Sequence, residues 1–160
     1  MRRFFFGIFM YTKFKTKHVL KFMSFWPPYF GAGVKVKVLD THDLQVLVSM
    51  NLKFTNKNMF GTHFGGSLYT MVDPFFTLIL FEQLNKDYLV WDKEASIKFK
   101  TPGKGVVSAH FQIDPERVEE IKSEIAESGK AEPEFRVDIL DEKGTVVAEV
   151  TKMLWARKKS

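Results

Sequence analysis

The sequence predicts an α+β domain in which a six-stranded antiparallel sheet wraps around one long apolar helix. The first observation is that residues 67–84 are apolar on nearly every side of a helix, so that this helix must be buried or cross a membrane. The second is that six segments with the alternating pattern of half-buried strands surround it in the chain. Because the helical segment is too short and too interrupted to span a bilayer, we expect the sheet to bury it.

Length and composition allow one core and exclude several kinds of site. A chain of 160 residues buries about 70 % of its unfolded surface, so we expect one domain over residues 26–160, after an extension over residues 1–25. The absence of cysteine excludes disulfides, a thiolate nucleophile and thiolate metal sites, and it fits a reducing, cytoplasmic location. The four histidines have no metal-ligand spacing, so we expect no metal and no other cofactor.

The N-terminal part of the chain is basic and aromatic. Eight Lys or Arg and no Asp or Glu occur through residue 39. The first residues resemble a signal peptide, but three lysines follow the apolar run and no small-residue cleavage site is present, so we reject that interpretation. Residues 11–26 have the pattern of a basic amphipathic helix that ends at Pro27 and Pro28. We expect it to lie over the core rather than on a membrane, and no nucleic-acid-binding motif accompanies it.

Alternating segments and turn residues predict the remaining elements. The predicted strands cover residues 33–39, 44–54, 88–100, 105–113, 134–139 and 145–157. The turns between them predict three hairpins, which join the first strand to the second, the third to the fourth and the fifth to the sixth. A surface helix begins after the N-cap Asp114, with Pro115 in its first turn, and ends at Gly129. This order of elements is that of the hotdog architecture.

Small and polar residues form one narrow stripe on the central helix. At about 100° per residue, Gly66, Thr70, Asp73 and Thr77 fall within an arc of roughly 60°. Asp73 is the unusual member, because a buried carboxylate without a partner is costly. It is a core acid with satisfied partners, a helix breaker together with Pro74, or a group retained for catalysis. The spacing does not decide among these interpretations.

The residues around this helix resemble a known family. Asn58, then Phe64-Gly65-Gly66 six residues later, and Asp73 nine positions after Phe64 resemble the signature of hotdog acyl-CoA thioesterases of the phenylacetate-degradation type. Residues 97–105 are similar to the strand and turn that follow the central helix in that family. From about residue 26 to 155 the chain resembles a thioesterase-like hotdog domain of unknown function, also found behind an acetyltransferase in YiiD-like proteins.

The resemblance implies roles for individual residues. Asp73 would be the base or nucleophile, Gly65 would polarise the thioester carbonyl through its backbone N–H, and Asn58 would position water or substrate. In the family a histidine normally precedes the two glycines, whereas this chain has Phe64 there and a histidine one place earlier. Further contacts to the substrate are expected from His63, Phe64, Gly66, Thr70 and Thr77. The charges of Lys98, Lys100 and Lys104 suit the phosphates of coenzyme A, although each lysine alone is more often a solvated residue at a sheet edge.

Helix geometry indicates that such a site needs two chains. The N-terminus of a helix offers free N–H groups and a partial positive charge, and two glycines allow a carbonyl to approach. Asp73, however, lies about 10 Å further along the helix than Gly66, at 1.5 Å per residue. A twofold axis that packs two such helices side by side would place Asp73 of one chain near Gly65 and Asn58 of the other. We therefore expect a homodimer or a dimer of dimers.

Two functions remain open from the sequence. One is hydrolysis of an acyl-CoA or acyl-carrier-protein thioester, in lipid metabolism, and the other is binding or sensing of acyl-CoA without turnover, with Phe64 filling the place of the histidine. A hydratase is weaker, because its acid–base dyad is not visible. The 17 Phe and 7 Met favour medium or long acyl chains. An apolar lid over such a chain would be formed by Phe14, Phe22, Met23, Phe25 and Trp26.

Overall fold

The computed structural model of the protein describes residues 16–159 and contains six antiparallel strands around a central helical segment. The helices are α1 (Thr16–Phe22), α2 (Pro27–Ala32), α3 (Gly65–Thr70), α4 (Phe75–Leu84) and α5 (Pro115–Ser128). The strands are β1 (Val34–Val38), β2 (Val46–Asn51), β3 (Tyr88–Phe99), β4 (Val106–Phe111), β5 (Glu134–Asp141) and β6 (Val146–Lys158). Their order in the sheet is β1-β2-β4-β5-β6-β3. The predicted hotdog architecture is confirmed.

The core lies between α4 and the inner face of the sheet. Phe75 packs on Phe111 of β4 with ring centroids 5.0 Å apart, and Phe76 stacks on Phe135 of β5 at the same distance. Both α4 phenylalanines are almost completely buried. Burying a side chain of this size contributes about 1.5–3 kcal/mol. The apolar character of α4 on all sides is therefore explained by the sheet that surrounds it.

The predicted single helix over residues 67–84 is in fact two helices. α3 ends at Thr70, and α4 begins at Phe75 after a turn that contains a cis peptide bond between Asp73 and Pro74. Pro74 has no N–H to donate to the Thr70 carbonyl, and its ring crowds the preceding turn. The Pro74 carbonyl accepts the first hydrogen bond of α4, from the Leu78 N–H, so the Asp73 carbonyl lies just before the helical ladder. The hydroxyl of the buried Tyr29 donates a hydrogen bond to it.

The N-terminal helical run ends before Pro27 and Pro28 as predicted, with a 3₁₀ turn at Met23–Phe25 and an extended Trp26. The same prolines also begin α2, which was not predicted, because the fixed φ of proline suits the first helical positions. One other local prediction is wrong. The third and fourth strands do not form a hairpin, since β3 pairs with β6 while β4 lies between β2 and β5. The hairpins β1-β2 and β5-β6 are confirmed, and so are the bounds of α5 at Asp114 and Gly129.

The segment before β1 contributes both to the core and to the surface. Leu20 of α1 and Met23 after it are buried with the residues of the sheet. Four aromatic side chains of the same segment are more than half exposed, namely Phe22, Phe25, Trp26 and Phe30. Residues 11–15 of the predicted N-terminal helix, with Phe14, lie outside the described residues. No helix between residues 16 and 159 has the length and hydropathy that crossing a bilayer requires.

We expect the substitution Tyr29→Phe to lower the free energy of unfolding by about 1–3 kcal/mol, because it leaves the Asp73 carbonyl without its donor. The aromatic ring, which stacks on Phe75, is retained. Equilibrium unfolding in urea measures the difference. Tyr88→Phe is the matched control, since the Tyr88 hydroxyl bonds to none of residues 16–159, and it should change the stability by less than about 0.5 kcal/mol. Equal effects of the two substitutions would contradict a role for the Tyr29 hydroxyl at the break.

Candidate active site

The site is organised by a lysine that the sequence patterns did not single out. The side chain of Lys152, on β6, is only 1 % exposed. Its Nζ lies 2.6 Å from Asp73 Oδ1 and 2.8 Å from Asp92 Oδ1. An ammonium buried without a partner costs several kcal/mol. The two carboxyl groups are therefore what allows Lys152 to occupy the core side of the sheet.

The alternation in β6 contains the signal that could have identified Lys152. Val150, Leu154 and Ala156 are buried at every second position of the strand, and Lys152 falls in the same phase. A lysine is almost never fully buried unless it is paired. A lysine at an apolar position of a regular strand therefore predicts a buried carboxylate near it.

Tyr69 completes the surroundings of the ammonium. Lys152 Nζ donates to the Tyr69 hydroxyl at 3.3 Å and lies 5.4 Å from the centroid of its ring. Burial by itself lowers the pKa of Lys152, but the hydrogen bonds and charges of Asp73 and Asp92 outweigh it and raise this pKa above its usual range. Lys152 therefore remains protonated, and its single positive charge is shared by two carboxyl groups.

Asp73 faces this ammonium on one side and the outside of the protein on the other. Its side chain is 41 % exposed, although Lys152 beside it is buried. Lys152 binds Oδ1, and no group among residues 16–159 forms a hydrogen bond to Oδ2. One carboxylate oxygen is thus held by the protein, and the other is available to a reacting molecule.

Aromatic rings cover the two glycines at the start of α3. A Cβ on Gly65 would lie 2.9 Å from Phe99 Cζ, and a Cβ on Gly66 would lie 2.5 Å from Phe64 Cε1. Both distances are too short for a real side chain, so any other residue at these positions would require the rings to move aside. Phe64 and Phe99 are themselves 56 % and 57 % exposed. An apolar surface therefore adjoins the N-terminus of α3, whose first N–H groups have no acceptor within the helix.

Asn58 organises the loop that leads into α3. Its Oδ1 accepts hydrogen bonds from the backbone N–H groups of Phe60 and Thr62, at 2.9 and 3.1 Å. Its Nδ2 donates to Thr62 Oγ1 and to the His63 carbonyl, at 2.9 and 3.2 Å. A side-chain amide has two acceptor and two donor positions, and the loop uses all four. The role in positioning water or substrate, predicted for Asn58, would require one of these bonds to open.

His63 connects the same loop with the turn after β3. It is 3 % exposed, its Nε2 lies 3.0 Å from the Gly105 carbonyl oxygen, and its backbone N–H donates to the Gly103 carbonyl. Burial lowers the pKa of His63, and the hydrogen bond to Gly105 only partly opposes this effect. The contact to substrate predicted for His63 would therefore require the two loops to separate.

The other predicted residues lie in three places. The Thr70 hydroxyl donates to the Gly66 carbonyl at 2.8 Å inside α3. Thr77 lies beyond the bend, and its hydroxyl is buried without a hydrogen-bond partner among the described residues. Lys98 is exposed on β3 and Lys104 in the turn before β4. The structure thus brings Asp73 together with Asp92, Tyr69 and Lys152, none of which was predicted.

We expect His63 to destabilise the fold as the solution becomes acidic. Below the ordinary histidine pKa of about 6.5, the unfolded state binds a proton that the folded state does not. The free energy of unfolding therefore decreases as the pH is lowered. The variant His63→Gln can still donate to the Gly105 carbonyl but does not titrate. Between about pH 7.5 and about pH 5.5, its free energy of unfolding, measured in urea, should decrease less than that of the parent.

His42→Gln provides the control of opposite sign. The hydrogen bond and charge of Asp43 raise the pKa of the exposed His42, so this residue contributes stability at low pH that is lost as the pH rises. Its replacement should make the decrease on acidification larger rather than smaller. The same change of slope in both variants would contradict the assignment to His63.

Comparison with known proteins places the chain in a family. The model of a domain of unknown function, DUF4442, matches residues 15–156. No curated protein matches the chain. A Pseudomonas aeruginosa protein of unknown function, named a probable thioesterase, is 24 % identical with a TM-score of 0.79, over 91 % of this chain and 97 % of that one.

Two further solved structures share the fold. A Chlorobaculum tepidum protein of unknown function is 19 % identical with a TM-score of 0.70, over 90 % of this chain and 94 % of that one. A Haemophilus influenzae thioesterase is 13 % identical with a TM-score of 0.65, over 91 % and 92 % of the two chains. At these identities the likeness shows the fold alone.

Proposed function

The chain belongs to the DUF4442 family, and we propose that it is a thioesterase that hydrolyses acyl-CoA or acyl-carrier-protein thioesters. The observation that supports this most strongly is the half-exposed carboxylate of Asp73, which a buried Lys152 holds at a break in the central helix. Carboxylates with buried charge partners at such partly open positions are frequent in functional sites. The names of the Pseudomonas and Haemophilus neighbours point to the same activity.

In the proposed reaction Asp73 acts through the oxygen that Lys152 does not bind. As a general base, it accepts a proton from water while the water oxygen attacks the thioester carbonyl carbon. As a nucleophile, it forms an anhydride with the acyl group, and water then hydrolyses the anhydride. By either route the carbon–sulfur bond breaks, and the thiolate of coenzyme A leaves and takes up a proton. Negative charge develops on the carbonyl oxygen, where the Gly65 N–H would stabilise it.

The site would be completed by a second copy of the chain. β3 forms an edge of the sheet and is exposed over residues 91–96. This edge and the neighbouring Phe64 and Phe99 form a surface that a second sheet edge can cover. We propose a homodimer formed along β3, in which Asp73 of one protomer meets a substrate polarised by Gly65 of its partner. Such pairing has twofold symmetry and gives two equivalent sites.

Exposed lysines near this edge would hold coenzyme A. Lys98 lies on β3 itself and Lys104 in the turn that follows. Lys100, between them in sequence, forms an ion pair with Glu149 at 3.1 Å, so it is less available. We therefore assign the phosphates of coenzyme A to Lys98 and Lys104.

One group of observations favours binding without turnover as the second candidate function. The hydrogen-bonding groups of Asn58 are all engaged in its loop. In addition, Phe64 and Phe99 lie over the glycines that would receive the carbonyl. A protein with this geometry could hold an acyl chain against its aromatic surface and sense it. The two functions differ in whether thiol is released continuously.

We expect Asp73→Asn to lower the rate of thioester hydrolysis by about 10²-fold to 10⁴-fold, because the amide retains the shape of the side chain but neither accepts the proton nor attacks. Release of thiol from decanoyl-CoA and palmitoyl-CoA measures the rate, and fluorescence titration with the same compounds measures binding. Binding should be retained. Equal turnover by the folded variant and the parent would show that Asp73 does not carry the reaction, and no turnover by the parent would favour the sensor.

We expect the protein to be dimeric at micromolar concentration, because the proposed site requires residues of two chains and β3 offers an uncovered edge. Sedimentation velocity over a range of concentrations measures the molar mass. A folded monomer at micromolar concentration would contradict the two-chain site.

A further inference from the structure

We propose that Lys152 and Asp92 control Asp73: Lys152 fixes which carboxylate oxygen faces the substrate, and Asp92 shares the lysine's charge, so that Asp73 does not face this ammonium alone. The inference rests on the proposed function, because it assigns work to two residues beside the group that would perform the chemistry. Neither residue belongs to the motif that resembles thioesterases. Both are placed by the sheet rather than by the central helix.

Lys152 is suited to positioning because it is more firmly held than the group it contacts. It lies on β6 between two paired strands, opposite Ala95 of β3 and Phe135 of β5. Asp73, in contrast, lies in the short turn between α3 and α4. The 2.6 Å contact from Nζ to Oδ1 therefore fixes the rotation of the Asp73 side chain from a rigid base. An oriented carboxylate is what a general base or a nucleophile requires.

Asp92 is placed to moderate the effect of this ammonium. An ammonium in contact with one carboxylate lowers the proton affinity of that carboxylate, often by 1–3 pKa units. A base weakened to that extent accepts a proton from water poorly. Asp92, at 2.8 Å from the same Nζ, brings a second negative charge to the cluster and opposes the change.

The backbone of β3 is irregular where it presents Asp92. The register between β3 and β6 shifts between Asp92 and Glu94, and irregularities of this kind redirect a side chain from its regular position. Asp92 pairs with Leu154, which is the next residue after Lys152 on the inward face of β6. The sheet thus departs from its regular pairing at the place where it supplies the second carboxylate.

Few other titratable groups face Asp73 among residues 16–159. Lys152 approaches from β6, Asp92 shares Lys152 from β3, and the Tyr69 hydroxyl reaches Lys152 from α3. The Tyr29 hydroxyl donates to the Asp73 carbonyl from α2. Burial, and after it the charge of Asp73, raise the pKa of Tyr29 above its usual range, so it stays neutral. Among the described residues, the charged groups of this cluster are therefore Lys152 and the two carboxyl groups.

The pH dependence of kcat/KM in Asp92→Asn tests the proposal. The substitution removes the second negative charge and retains the shape of the side chain, so Asp73 experiences the whole charge of Lys152. We expect the rising limb of the profile to move to lower pH by about one unit. The plateau should fall severalfold, because a weaker base or nucleophile reacts more slowly.

Asp138→Asn is the matched control. Asp138 is exposed on β5, an interior strand of the sheet, and carries the same charge without an ion pair to Lys152. Its removal should leave the profile in place. Lys152→Arg, which retains the positive charge, should retain more activity than Lys152→Met. Since the methionine variant leaves two carboxylates facing each other and can prevent folding, the decision rests on Asp92→Asn.

The outcomes separate this inference from the proposed function. A profile that moves to lower pH in Asp92→Asn, and not in Asp138→Asn, supports it. If Asp73→Asn is inactive while the Asp92→Asn profile stays in place or moves to higher pH, the control by Asp92 is wrong and the thioesterase assignment stands. If Asp73→Asn is as active as the parent, Asp73 does not carry the reaction and its control by Lys152 and Asp92 is wrong with it. If the parent releases no thiol from either acyl-CoA, the thioesterase assignment fails.

Discussion

The contact of one buried ammonium with two carboxyl groups is the interaction on which the rest of the site depends. Burial removes the hydration of the Lys152 ammonium, and an unpaired ammonium in this position would cost several kcal/mol. β3 must therefore bring Asp92 to it, and the central helix must bring Asp73. The helix can do so because it breaks at Pro74, and the Tyr29 hydroxyl donates a hydrogen bond to the Asp73 carbonyl at this break. One charge thereby ties an edge strand, an interior strand and the central helix together.

Stability alone does not explain this arrangement. Replacing a buried ion pair with apolar residues of similar volume is often neutral or stabilising, and leucine or methionine at position 152 would suit the phase of β6. The exposure of the two partners differs, however: Lys152 is enclosed, whereas Asp73 reaches the surface. A preorganised site needs a rigid, buried group that holds the reactive group, here Lys152, and a reactive group that the substrate can reach, here Asp73. The geometry therefore favours function over stability as the reason for the cluster.

The fold was predictable because its signals are local and repeated, as the apolar residues of α4 and the alternation of the strands show. Pairing was less predictable: the turn at residues 101–104 suits a hairpin as well as a crossover, and only tertiary packing decides between them. Asp73 was identified because a carboxylate is rare on an apolar helix. Lys152 was missed because lysine on a strand is usually solvated. The sequence pattern also could not distinguish whether Asn58 builds its loop or contacts a ligand.

The exposure of Asp73 explains why two carboxyl groups accompany the lysine. In the isolated chain, water reaches Asp73 and screens its attraction to Lys152. A substrate or a second chain that covers Phe64 and Phe99 would exclude that water, and the attraction would strengthen as the local dielectric falls. With a single carboxylate, closure would convert the reactive group into an inert ion pair at the moment of reaction. Asp92 lies 2.8 Å from the same Nζ, so its charge would still act on Lys152 when the site closes. The second carboxylate thus matters most in the closed site, where the chemistry would take place.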